Sequence, residues 1–246
     1  MRHHIGVLAF ALAFAAAACA PVDTDTAETA PAVEPVSDVL TEAEQAALTP
    51  EQVLEQLKEG NQRFVEGRLT LRDYNAQAAA TAAGQFPKAA ILGCVDSRVP
   101  PEIVFDQGIG DLFVGRVAGN FENEDLLGSL EFATAVAGTP LIVVLGHTSC
   151  GAIKGAVAGV ELGNLTAMLD NFDEVLAQVR EIQAMVTVDP EEAALIEAAI
   201  EENVRRTMAD ILESSEVISD LVESGDLGVV GGVYDLATGQ VTWMES

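Results

Sequence analysis

Two short motifs, CVDSR (Cys94 to Arg98) and HTSC (His147 to Cys150), hold the soft metal-binding side chains of this sequence. The other histidines, His3 and His4, and the other cysteine, Cys19, fall at the N-terminus. Two thiolates and one imidazole suit zinc and leave its fourth tetrahedral position open. That is the arrangement of a catalytic zinc, whereas structural sites are closed by four protein ligands. Singly, each residue has a plainer reading. A strand cysteine is usually a small core hydrophobe, and a Cys94–Cys150 disulfide is open to an exported protein. Together, as the only such residues beyond the N-terminus, Cys94, His147 and Cys150 point to one zinc ion per chain.

Asp96 and Arg98 are two residues apart, so an extended segment puts them on one side. A carboxylate beside the metal can orient an activated water, and Arg98 can pin Asp96 and keep it ionised. Two alternatives stay open. Asp96 could cap a turn with Arg98 at the surface, or Asp96 could itself take the fourth zinc position until Arg98 draws it away.

The elements that must position these motifs follow from pattern. Lys88 to Val95, Asp111 to Ala118 and Pro140 to Leu145 are short apolar runs, read as buried strands. Strands apolar on both faces imply a parallel sheet covered by helices. Thr49-Pro50-Glu51-Gln52 is a helix start, with a capping Thr, Pro at the first position and Gln three residues after the cap. Helices are also expected over 124–137, 152–160, 164–186 and 190–223. Leu227 to Tyr234 and Gln240 to Met244 read as a closing hairpin. The fold class is therefore α/β, a central mostly parallel sheet flanked by helices. Both motifs then lie at carboxyl ends of strands, where open α/β sheets place their ligand sites.

Residues 1–18 read as a secretory leader: Arg2, an apolar run from Ile5 to Ala18, then Cys19. The pattern resembles a lipoprotein signal with Cys19 lipidated, although Ala16 stands where Leu is usual. This predicts an exported, periplasmic protein held at the envelope by lipid, since no later segment could span a bilayer. Residues 19–48 carry Pro21, Pro31 and Pro35 and no Lys or Arg after Cys19, and read as a disordered acidic tether. Residues 49–246 are expected to form one domain. The formal charge of −27 disfavours nucleic acid and anionic membrane as partners.

CVDSRVPPEIVFDQGIGDLFVGRVAGN (Cys94 to Asn120) and GHTSCGA (Gly146 to Ala152) resemble the two signature regions of the β-class carbonic anhydrases. The likeness runs from LKEGNQRF (Leu57 to Phe64) to YDLATGQV (Tyr234 to Val241). It implies zinc on Cys94, His147 and Cys150, an Asp96–Arg98 catalytic dyad, and reversible hydration of carbon dioxide to bicarbonate and a proton. It also implies a substrate pocket with Gln85, Gly151, Phe113 and Phe132. Phe132 departs from the Tyr of many members, so a hydroxyl contact is missing there. Ile91 stands where some members have a Trp that lines an inhibitory bicarbonate site, which argues for an open water position. Members are dimers or larger, so a homodimer or higher homo-oligomer is expected. Two thiolates leave zinc less positive than three imidazoles do, so activity should rise toward alkaline pH.

Other readings remain: a carbonyl sulfide or carbon disulfide hydrolase on the same fold, a non-catalytic zinc-binding envelope lipoprotein, and a redox protein using Cys94 and Cys150.

Overall fold

The computed structural model describes residues 34–186 and 192–244. The leader, Cys19 and the first part of the expected tether lie outside the described residues.

Five strands form one sheet: β1 (Ala89–Gly93), β2 (Leu112–Arg116), β3 (Leu141–His147), β4 (Gly228–Tyr234) and β5 (Val241–Met244). Their order is β2-β1-β3-β4-β5. The first four run parallel, and β5 turns back antiparallel on β4. The expected mostly parallel sheet is therefore present. The third strand reaches further than its apolar run suggested and includes His147.

Every residue of β1 and β3 is buried, and alternate residues serve opposite faces. Ala89, Ile91, Leu141, Val143 and Leu145 share a core with Val53 and Leu57 of the helix Pro50–Val65. Ala90, Leu92, Ile142 and Val144 share another with Val204, Ile211 and Ile218. Each fully buried Leu or Ile contributes roughly 1.5–3 kcal/mol. The Pro50–Val65 helix starts as its sequence predicts, with the Thr49–Gln52 capping box closed in both directions.

The helix Glu192–Ser214 buries Ile196, Ala199, Ile200, Asn203, Val204, Thr207 and Ile211, a single face at helical spacing. It sits close on the sheet because Gly146 has no side chain: a Cβ there would lie 2.6 Å from Val204 Cγ2.

Three expectations are corrected. Residues 34–48, read as the end of a disordered tether, fold onto the domain. Val36 bridges to Arg72, Glu42–Ala46 is a capped helical turn, and buried Gln45 donates to Pro87 O at 2.7 Å and Ala137 O at 3.0 Å. The helix expected over 190–223 is two helices, Glu192–Ser214 and Glu216–Ser224. Ser215 is extended and caps the second, accepting from Ile218 N while donating to Glu131. The helix expected over 124–137 is α-helical only to Glu131 and then widens into a π-turn, Phe132–Val136. Helices at Tyr74–Thr81 and Pro101–Val104 had no expectation attached.

Candidate metal centre and active site

Cys94 follows directly on β1, and His147 is the last residue of β3. The two strands are neighbours, with Gly93 opposite Leu145, so their carboxyl ends lie together. Two residues on, Ser149 adopts a left-handed φ of 57°, a conformation that β-carbon sterics make uncommon for serine. That turn returns the chain so that Cys150 heads the helix Gly151–Val157. The ligand atoms of Cys94, His147 and Cys150 all lie within 4.8 Å of one another. Their exposures are 4, 0 and 1%. Both cysteines are free thiols, with no disulfide between them.

The imidazole is oriented by its own neighbour. His147 Nδ1 lies 2.9 Å from Thr148 O. A carbonyl only accepts, so Nδ1 carries the proton and Nε2 carries the lone pair. Thr148 is held in turn, its N–H donating to Tyr234 O and its hydroxyl oxygen accepting from Leu236 N. His147 Nε2 is buried with no hydrogen-bond partner among the described residues. A buried lone pair facing two sulfurs is the donor set a zinc ion fits.

The two sulfurs differ. The Cys150 thiol and the N–H of Gly119, 3.3 Å away, donate to Cys94 and outweigh its burial, holding that thiol well below its usual range, at about 4. Cys150, the donor of that shared proton and itself buried, is held protonated. Burial opposes a charge on His147, but Cys94, Thr148 O and Asp96 together raise its pKa.

Asp96 and Arg98 form a two-pronged pair. Arg98 Nε donates to Oδ1 at 2.9 Å and Nη2 to Oδ2 at 2.7 Å, and the Arg98 backbone N–H adds a third bond at 3.0 Å. These bonds, from Arg98 first, hold the Asp96 carboxyl far below the usual carboxylate range despite partial burial.

Of the expected pocket residues, Gly151 adjoins a ligand candidate and the other three do not. Gly151 opens the helix beside Cys150, where its N–H has no intrahelical acceptor. Gln85 is exposed and precedes β1, whereas Cys94 follows it. The five residues of β1, roughly 16 Å of extended chain, lie between them. Phe113 lies early in β2 and packs edge-on against Phe132, with ring centroids 6.0 Å apart. Both line an open groove of about 1070 Å³ with Ala90, Leu92, Leu126 and Glu131, and no zinc-ligand candidate lines it. Within one chain, then, Gln85, Phe113 and Phe132 do not meet the metal centre.

Reasoning from the sequence missed Thr148 and Gly119. Thr148 had a signal, since a ligating histidine needs an acceptor for its other nitrogen. Gly119 lay in the quoted GRVAGN stretch without a role.

Residues 89–241 match the family model described as "Carbonic anhydrase". The chain is 40% identical over 186 residues to carbonic anhydrase 2 of Mycobacterium tuberculosis, covering 75% of this chain and 87% of that protein. It superposes on the β-carbonic anhydrase CcaA with a TM-score of 0.64 and 28% identity, covering 78 and 88% of the two chains. One of the two tetrameric β-carbonic anhydrases of Sordaria macrospora gives 0.62 and 25%, covering 68 and 85%. By family match, by identity over most of its length and by fold, the chain belongs to the carbonic anhydrases, in their β class.

Proposed function

We propose that this chain catalyses the zinc-dependent, reversible hydration of carbon dioxide to bicarbonate and a proton. The observation that carries this reading is the orphaned Nε2 of His147, facing two thiols beside a carboxylate already tied to an arginine. Cys94, His147 and Cys150 would hold zinc, which would supply a Lewis acid able to acidify a water. Asp96, kept ionised by Arg98, would accept a hydrogen bond from the attacking water and orient it toward carbon dioxide. The N–H of Gly151 would donate to a bicarbonate oxygen. A zinc store needs no arginine-pinned carboxylate, so the Asp96–Arg98 pair weighs against a non-catalytic role.

We place Gln85, Phe113 and Phe132 at the metal centre of a second copy of the chain. The support is their position: they occupy the amino ends of β1 and β2 and the groove beside β2, an edge strand of the sheet. The tetrameric relatives described above favour a homo-oligomer. Export and lipid anchoring through Cys19 rest on the leader. Membrane fractionation of the wild type beside Cys19→Ala tests them: release of only the variant supports the anchor, and equal partition removes it.

The deciding experiment is stopped-flow carbon dioxide hydration at mildly alkaline pH, with zinc measured on the same sample. Hydration with about one zinc per chain, lost in Asp96→Asn, is the expected result. Bound zinc without hydration overturns it and turns the search to carbonyl sulfide and carbon disulfide.

A further inference from the structure

Arg116 ends β2, and its guanidinium reaches across to the loop leaving β1. Its Nε donates to Cys94 O at 2.7 Å, and its Nη2 donates to Asp96 O and, at 3.1 Å, to Val99 O. One side chain thus ties three carbonyls of a loop that carries a zinc-ligand candidate and the Asp96–Arg98 pair. The loop is otherwise anchored at its two ends, by the Gly119 N–H on Cys94 Sγ and by Val99, which is buried in the core. Val95 is 56% exposed, and the internal ties are Val99 N–H to Asp96 O at 3.2 Å and the Arg98 bonds to the Asp96 carboxylate. In a chain with 39 acidic residues to 12 basic ones, Arg116 forms no ion pair among the described residues, unlike Arg98. Its donors go to backbone.

A guanidinium presents its donors in a rigid planar fork, which an ammonium cannot reproduce. The fork sets the spacing between the carbonyls of Cys94 and Asp96, and so the place of the Asp96 carboxylate relative to the Cys94 sulfur.

We propose that Arg116 is the positioning residue of the Asp96–Arg98 dyad, holding the Cys94–Val99 backbone so that the carboxylate stands beside the metal centre at a fixed offset. This rests on the carbonic anhydrase reading. Arg116 touches neither the Asp96 carboxylate nor a ligand atom, and acts through main chain alone.

The test compares the zinc-loaded full chain with Arg116→Lys and Arg116→Gln. Both should keep zinc and lose kcat per bound zinc by roughly 10- to 100-fold with KM little changed, the scale expected when a catalytic group is misplaced by about 1 Å. Cobalt-loaded samples give a readout apart from turnover. The d–d bands should shift in both variants at equal metal content, because an unclamped Asp96 changes the coordination environment. A kcat per zinc within about two-fold of wild type, with unshifted bands, overturns the proposal. So does activity that falls only in step with metal content and melting temperature, which would make Arg116 a structural brace. A wild type that binds zinc but hydrates no carbon dioxide sinks the functional reading instead, and the cobalt bands still decide where Arg116 holds the loop.

Discussion

Asp96 Oδ2 stands 3.9 Å from His147 Nε2, while Arg98 grips both oxygens of the same carboxylate. The carboxylate is thus beside the ligand nitrogen and held away from it by the same arginine. Replacing it with an amide keeps shape but removes the charge and puts a donor NH2 in place of one acceptor oxygen. Asp96→Asn should lower carbon dioxide hydration by about 10²- to 10⁴-fold, with zinc content unchanged. Stopped-flow rates on samples of measured zinc content test this, and a parallel loss of zinc would make Asp96 a ligand instead.

The sulfur pair makes a prediction about protons. Cys94 is held as thiolate at neutral pH and Cys150 as thiol, whereas zinc requires both as thiolates. Binding should therefore release at least one proton per chain, and affinity should fall as pH falls. Calorimetric titration in two buffers of different ionisation heat measures the number, and proton-free binding would refute it.

Asp106 anchors a second, structural network. Its carboxylate accepts from Arg63 and Arg72, each at 2.5 Å, and from the N–H and hydroxyl of Thr70. Burial alone would raise its pKa, but these donors outweigh it and the net shift is downward. A depressed carboxyl stabilises the fold above its unfolded value, near 3.9, and that stability is lost as pH falls through the folded value. Asp106→Asn should cost about 3 kcal/mol at neutral pH. The gap between variant and wild-type urea midpoints should begin to narrow below about pH 4 and close once the pH lies below the folded value. A gap that persists in acid would assign the effect to shape rather than charge.

Gly119 serves the centre by lacking a side chain. Its φ is +87°, and a Cβ would lie 2.3 Å from Phe172 Cζ, while its N–H donates to Cys94 Sγ. Gly119→Ala should cost about 2–5 kcal/mol in stability and weaken zinc retention. Urea unfolding and competition with a chelator measure the two losses, and a neutral substitution would show that Phe172 yields freely.

The placement of Gln85 across a subunit boundary is open to complementation. Gln85→Ala and Asp96→Asn should each be impaired alone. Mixed after co-refolding, they should recover activity, because one site of each mixed pair draws Asp96 from one chain and Gln85 from the other. No recovery would return Gln85 to its own chain or to no role.

The centre was legible because its residue types are scarce: beyond Cys19 only one histidine and two cysteines remain. The parallel sheet was legible in strands apolar on both faces, and the Pro50 helix in a cap spanning four residues. What escaped depends on distant partners. Nothing in the composition of residues 34–48 shows that Gln45 will find carbonyls 42 and 92 residues away. Nor does periodicity show that Ser215 will leave the helix to reach Glu131, 84 residues off. Gln85, nine residues from Cys94, looks close in the sequence, yet an intervening strand carries it to the opposite end of the sheet.

Because β1 and β3 are adjacent and in fixed register, the centre tolerates insertion very unevenly. All three ligand candidates precede the exposed loop 158–163, so extra residues there only lengthen a surface connection, at a cost growing slowly with length. One extra residue inside β1 or β3 turns every later side chain of that strand to the other face and carries Cys94 or His147 out of reach. A fused tag or reporter domain therefore belongs in that loop, where the chain can be opened without disturbing the metal-binding end of the sheet.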